Sequence, residues 1–279
     1  MIAEMQIRNY SPRTIRSYIS SLIHLSKHFN LSPDLISLEQ FKSYLVDRIK
    51  RDRISNSTIN QAIGAWRILQ CDLLKREWTD FKVKRPRREK RIPTVLSRKQ
   101  VGNLIDSISN TKHHALTSLV YATGMRRNEV LQLRLEDIDA SRHVIIVRHG
   151  KGNKQRQIPI TNSLINILRD YYKKYRPLKF LFEGFKPGMP YSATSFSNIL
   201  RKAANRIRLN KRVTPHIFRH SFATHMLESG LNLKQLQLIL GHNTMKTTTI
   251  YLHSAETSSI KIPDLLNPDK ISKDGQERK

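Results

Sequence analysis

Apolar residues recur every three to four positions through most of the chain, the period of an amphipathic helix. Ser11-Pro12 opens one such segment, with Ile15, Tyr18, Ile19 and Leu22 on one face and Arg13 and Arg16 elsewhere on its surface. Ser37 and Gln40 fit a capping box ahead of Phe41, Tyr44, Leu45 and Ile49. After a polar stretch, Ile59, Ala62, Ile63, Trp66, Leu69 and Leu73 mark a third helix. These spacings predict a small helical bundle. Residues 82–93, K-V-K-R-P-R-R-E-K-R-I-P, break the pattern with seven basic residues and two prolines. Such a run builds no core, so the boundary between two domains is expected there. A helical domain is therefore expected over 1–81, a basic linker over 82–94, a second domain over 95–268 and a disordered tail over 269–279.

Beyond the linker, Ser97 and Gln100 form another capping box, leading into Val101, Leu104, Ile105 and Ile108. A helix with Leu116, Leu119 and Val120 stops at Thr123-Gly124. Gly124 suits the position just past a helix end, so Arg126 falls in the tight passage between two helices. His143–Val147 and Gln157–Ile160 read as two short strands whose connection, R-H-G-K-G-N-K-Q-R, holds hairpin residues and puts Lys151 near the tip. Leu164, Ile167, Leu168 and Tyr171 mark a further helix, F-L-F-E-G a short strand, and Tyr191-Ser192 introduces a helix with Phe196, Ile199, Leu200 and Ile207. Thr214 is a good N-cap and Pro215 a good first helical residue. A last helix, Leu231–Leu240, ends at Gly241 and places His242 just beyond it. The expected fold class is mainly α with a small β-hairpin.

Charge sharpens this picture. Lys and Arg number 50 against 22 Asp and Glu, a net +28. The excess is spread along the chain, 19 against 9 before Val95 and 31 against 13 from there on. A folded chain so charged repels itself and calls for a polyanionic partner, nucleic acid first. Arg13 and Arg16, and Lys84, Arg85, Arg87 and Arg88 in the linker, are candidates for phosphate contact, as are Lys154 and Arg156 in the hairpin. A single cysteine, Cys71, rules out a disulfide within the chain and fits a reducing cytoplasm. Arg8, Arg13 and Arg16 interrupt any secretory h-region, and no apolar run approaches membrane-spanning length.

Candidate chemistry concentrates between Val213 and His253. His216 and Arg219 are three apart in the first turn of a helix, and His242 precedes Tyr251 by nine residues. Guanidinium, imidazole and phenol together suit phosphoryl transfer through a tyrosine nucleophile. Arg grips two oxygens at once, His moves protons near neutral pH, and Tyr can form a covalent intermediate. Two rival motifs fail: G-K-G-N-K lacks the ending of a P-loop, and His216 with His220 lacks the H-E-x-x-H of a zinc helix.

The order T-G-M-R-R-N-E-V, then H-I-F-R-H, then G-H, then Y resembles the tyrosine recombinase (phage integrase) family, strongly from Thr123 to His253 and architecturally before that. That resemblance implies an N-terminal helical core-binding (SAM-like) domain and a C-terminal catalytic domain that together clamp DNA. It implies a catalytic set of Arg126, Lys151, His216, Arg219, His242 and the nucleophile Tyr251. Glu129 and Asp137 would hold the arginine loop. Tyr251 would form a 3′-phosphotyrosyl bond, Lys151 would protonate the leaving 5′ oxygen, and neither metal nor other cofactor would be needed. The implied partners are double-stranded DNA at paired recombination sites, a homo- or hetero-tetramer on that DNA, and accessory directionality proteins; the implied location is the cytoplasm, at the nucleoid. Departures are small: Phe218 stands where the family often has Leu, and Asn128 where Ser is common. A type IB topoisomerase and a non-catalytic DNA-binding protein remain the rival readings.

Overall fold

A computed structural model of the chain describes residues 1–78, 82–86, 94–148, 155–242, 244–252 and 255. The chain divides into two compact units, Met1–Arg91 and Ile92–Lys279.

The first unit is helical: α1 (Ile2–Ile7), α2 (Pro12–Phe29), α3 (Leu38–Asp52) and α4 (Asn56–Arg67). Ser11 caps α2 through the Thr14 N–H, and Ser37 and Gln40 form the reciprocal capping box of α3. Most of the apolar positions expected from the period meet in one core, where Phe41 stacks flat on Trp66 at 4.4 Å between ring centres, while Ile49 is left exposed. The third helix does reach Leu73, but its last six residues, Ile68–Leu73, are wound as a π-helix. α1 carries no periodic signal of its own; its buried residue is Met5, and Arg8 just beyond it pairs with Glu4 and Asp72.

The second unit contains α5 (Arg98–Asp106), α6 (Thr111–Thr123) and α7 (Arg127–Leu131), then strands β1 (Ile138–Asp139), β2 (Val144–Val147) and β3 (Arg156–Pro159). Helices α8 (Asn162–Tyr175), α9 (Ala193–Arg206), α10 (Pro215–Glu228), α11 (Leu233–Leu240) and α12 (Met245–Thr248) follow. The strands form one antiparallel sheet in the order β1-β2-β3, with Ile145 opposite Ile158 and Val147 opposite Arg156. β1 was not expected: two residues are too few to show an alternation. F-L-F-E-G is not a strand. The Glu183 carboxylate accepts the backbone N–H groups of Leu178, Lys179 and Phe180 at 3.2, 2.7 and 3.3 Å, which curls the segment, and only isolated bridges to Arg134 and Pro190 remain. Among the described residues no helix is long and apolar enough to cross a membrane.

Two features aim this scaffold at the site. The main core packs α6, α8, α9 and the sheet together, while a smaller cluster of Phe222, Ala223, Leu236, Leu240 and Tyr251 joins α10, α11 and the C-terminal turn. The chain entering the unit is bolted to α10: Leu96 N–H donates to Ser221 Oγ at 2.9 Å, and Arg98 reaches the His225 carbonyl at 2.7 Å.

Candidate active site

Each helix end at the site follows from local sequence. Gly124 and Gly241 close α6 and α11 with φ of 59° and 61°, left-handed values that favour glycine. Crowding demands glycine again at Gly124, where a Cβ would stand 2.2 Å from the Phe222 ring. Thr214 caps α10 through the Ile217 N–H, and Pro215 begins it. Arg126 is the residue preceding α7, so its side chain leaves from a fixed corner, and Glu129 accepts both the Arg126 backbone N–H and a guanidinium N–H at 2.9 Å each.

The three last residues around the end of α11 each offer a carbonyl to a different arginine. Ile239 O accepts from Arg156 Nε at 2.8 Å, Leu240 O from Arg219 Nη2 at 2.7 Å, and Gly241 O from Arg126 Nη2 at 3.0 Å. A helix C-terminus leaves such carbonyls without intrahelical partners and gathers partial negative charge, so cations belong there. Arg219 also donates to Gly124 O at 2.7 Å and is only 4 % exposed. Burial first, then the charge of Arg126, push its pKa down to about 10.

Tyr251, 4 % exposed, lies against this cluster with its ring 5.4 Å from that of His220 and 6.2 Å from that of His242. Burial raises the phenol above its ordinary pKa, and the charge of Arg219, its hydrogen bond to the phenol, and Arg126 pull in the other direction without cancelling it. Tyr251 therefore rests as a neutral phenol. His242 is neutral too, with its pKa lowered to about 4 by burial and then by Arg219, Arg126, Arg156 and His220. Its tautomer follows from its partners. Arg219 Nη2, 2.9 Å from His242 Nε2, can only donate, so Nε2 accepts and Nδ1 carries the hydrogen towards Thr248 Oγ1, also at 2.9 Å.

Arg126, Arg219, His242 and Tyr251 are thus brought together. His216 is exposed at the mouth of α10, with burial on its inner side lowering its pKa ahead of Arg219, Arg127 and Arg126; no hydrogen bond or ring contact joins it to Tyr251. His220 faces Tyr251, with a buried Nδ1 that has no hydrogen-bond partner among the described residues. His225 pairs with the Tyr121 hydroxyl at 2.8 Å. Asp137, expected to hold the loop that carries Arg126, makes its own hydrogen bonds farther along the chain. Its carboxylate takes the Arg134 N–H at 2.8 Å and pairs with Arg148 Nε, fixing the turn into β1 and the exit of β2. Arg156 does not face outward for phosphate either. Its side chain is 10 % exposed and forks onto Glu129 at 3.1 and 2.6 Å, because the buried carboxylate and the Ile239 carbonyl draw it inward. Arg13, Arg16, Lys84 and Arg85 are exposed in the first unit. Lys151, Lys154, Arg87, Arg88 and the tail over 269–279 lie outside the described residues. Missed from sequence is a cleft of about 480 Å³ beside His216, rimmed by Arg127, Arg201, Lys211 and Arg212. These cations come from three separate segments, and no linear spacing could have gathered them.

The comparisons with known proteins agree in kind. A model described as the phage integrase family matches residues 94–258, and one for the phage integrase N-terminal SAM-like domain matches residues 1–80. A Sinorhizobium fredii protein carrying the name integrase/recombinase y4qK is 36 % identical over 91 % of this chain and 83 % of its own. A tyrosine recombinase of Thermosipho africanus is 30 % identical over 90 % of this chain and 92 % of its own. Among solved structures, the XerH site-specific recombinase bound to its difH substrate superposes with a TM-score of 0.70 at 23 % identity, over 91 % of this chain and 81 % of that one. That last likeness is one of fold.

Proposed function

Because the chain belongs to the phage integrase family, the tyrosine recombinases that cut and rejoin DNA strands, we propose that Tyr251 is the nucleophile and that duplex DNA at paired recombination sites is its substrate. The phenolic oxygen attacks the scissile phosphorus, the P–O5′ bond breaks, and a 3′-phosphotyrosyl ester and a 5′-hydroxyl result. The observation that carries this reading is the pairing of a buried phenol with Arg219, whose guanidinium is held by the same helix end that holds Arg126.

Arg126 and Arg219 take the two non-bridging oxygens, where charge builds as the transition state forms. A neutral phenol is a poor nucleophile, so its proton must leave with the attack. His216, uncharged at neutral pH through burial and the neighbouring guanidinium groups, is the acceptor. Lys151 returns a proton to the leaving 5′ oxygen. His242 donates to a phosphate oxygen once that oxygen replaces Nε2 as the partner of Arg219; the neutral ring does so as its Nε2–H tautomer, with Nδ1 then accepting from the Thr248 hydroxyl. The 5′-hydroxyl of a second duplex reverses the attack, which exchanges the strands. Four strands need four sites, so the working assembly is a tetramer on two DNA sites, at the nucleoid in the cytoplasm. The exposed arginines of the first unit and the cationic rim beside His216 supply phosphate contacts that carry register more than sequence.

The test is trapping on nicked suicide duplexes, whose cleaved end diffuses away and prevents rejoining. The intact chain is expected to form a covalent DNA adduct, and Tyr251→Phe to form none while retaining DNA binding. An adduct of undiminished yield from Tyr251→Phe would remove Tyr251 from the role.

A further inference from the structure

Two of the three arginines gathered at the end of α11 have a place in the reaction above. The third does not. Arg156 opens β3, and its three guanidinium nitrogens are committed to Ile239 O and to both oxygens of Glu129. It also lies directly beneath the turn that carries His242, since a Cβ on Gly241 would meet the Arg156 side chain at 3.0 Å. Glu129 is the acceptor for Arg126 as well. A single buried carboxylate is therefore shared between two guanidinium groups, of which Arg126 is the more open, with 26 % of its side chain exposed against 10 % for Arg156.

This sharing has an electrostatic consequence. Were Glu129 paired with Arg126 alone, the pair would carry no net charge, and the phosphate would meet an arginine already neutralised. With Arg156 added, the trio is left with one positive charge, and Arg126 is the group that presents it. The mechanical consequence runs through the same atoms. Arg156 ties β3, the strand that leaves the hairpin five residues after Lys151, to Glu129 and to the end of α11.

We propose that Arg156 is a positioning residue for strand cleavage. It orients Glu129, which in turn fixes the Arg126 guanidinium against Gly241 O, and it seats the His242 turn and the β3 strand on the same anchor without touching DNA. The inference rests on the phosphotyrosyl reading of the site. Its rival is a core ion pair that only holds the unit together. The two differ in what a lysine could replace. Lys keeps the charge but not the planar fork that serves two carboxylate oxygens and a carbonyl together.

The experiment measures single-turnover adduct formation on a pool of nicked duplexes of randomised sequence, DNA affinity by anisotropy on the same pool, and thermal melting. For Arg156→Lys the rate is expected to fall by about tenfold or more, since small displacements of a catalytic group are costly, while DNA affinity stays within about threefold, as suits a residue off the phosphate backbone. Arg156→Met alone would strand a buried carboxylate and endanger folding. The pair Arg156→Met with Glu129→Gln removes both charges and keeps the question answerable if Arg156→Lys melts early. Because Arg156 acts largely through Glu129, the double variant should lose clearly less than the product of the two single losses. The proposal is overturned if Arg156→Lys cleaves within about threefold of the parent, if its rate and affinity fall in step, or if the double variant loses the product of the two single losses. A parent chain that forms no adduct on this pool would instead sink the phosphotyrosyl reading, and this inference with it.

Discussion

His242 shows how much at this site turns on where a proton sits. Its Nε2 accepts from Arg219 and its pKa is lowered to about 4, so at neutral pH it is an uncharged acceptor in the resting protein. In the unfolded chain a histidine binds its proton near its ordinary value of about 6.5. As pH falls below that value the unfolded state gains a proton that folded His242 refuses until pH nears 4, so stability drops across this window. His216, His220 and His225 are shifted in the same direction and act with the same sign. Denaturation followed between pH 7 and pH 5 should therefore show falling stability, and His242→Gln should flatten that fall. An equal slope in both chains would show that His242 is protonated in the folded state. The residue types at the site were legible because Arg, His and Tyr in this order have few other uses. The tautomer of His242, the orphaned Nδ1 of His220 and the inward turn of Arg156 were not, because each depends on which polar groups other segments bring, or fail to bring, within reach.

Elements place these groups through their ends. Capping boxes at Ser37 and Ser97, the Thr214-Pro215 start of α10 and the Gly241 stop of α11 could all be read from sequence, since each is set by residues within four positions of one another. The π-wound end of α4, the two-residue strand β1 and the curl at Glu183 could not, because packing and a side-chain acceptor override the local period there. Gly124 is the element terminus under most constraint, with a left-handed φ, the Phe222 ring against its missing side chain, and a carbonyl that accepts from Arg219. Gly124→Ala is expected to cost about 1–2 kcal/mol in backbone strain and about 1–3 kcal/mol more in overpacking. Its adduct formation should fall beyond what the lost stability explains, since the Arg219 acceptor moves with the turn. Chemical denaturation beside single-turnover cleavage checks both; an unchanged midpoint would mean that the turn accommodates a methyl group freely.

At the scale of the whole molecule the basic excess, net +28 and present in both halves, fits a substrate that is a polyanion. Binding should release counterions, so a footprint of roughly six phosphates or more would lose about three orders of magnitude in affinity between about 50 and 200 mM salt. A titration across that range checks this, and a flat profile would argue against a backbone-tracking interface. Two-domain organisation was legible from the break in periodicity at residues 82–93, whereas the cationic cleft beside His216 appears only once α7, α9 and the entry to α10 have been brought together. The central claim is that one phenolic oxygen becomes esterified to DNA. The most direct measurement is tandem mass spectrometry of the trapped protein–DNA adduct after proteolysis and nuclease digestion. The account predicts a nucleotide joined through its 3′ phosphate to the peptide containing Tyr251, with a free 5′-hydroxyl on the released strand. A nucleotide carried on any other residue, or joined through its 5′ phosphate, would contradict it.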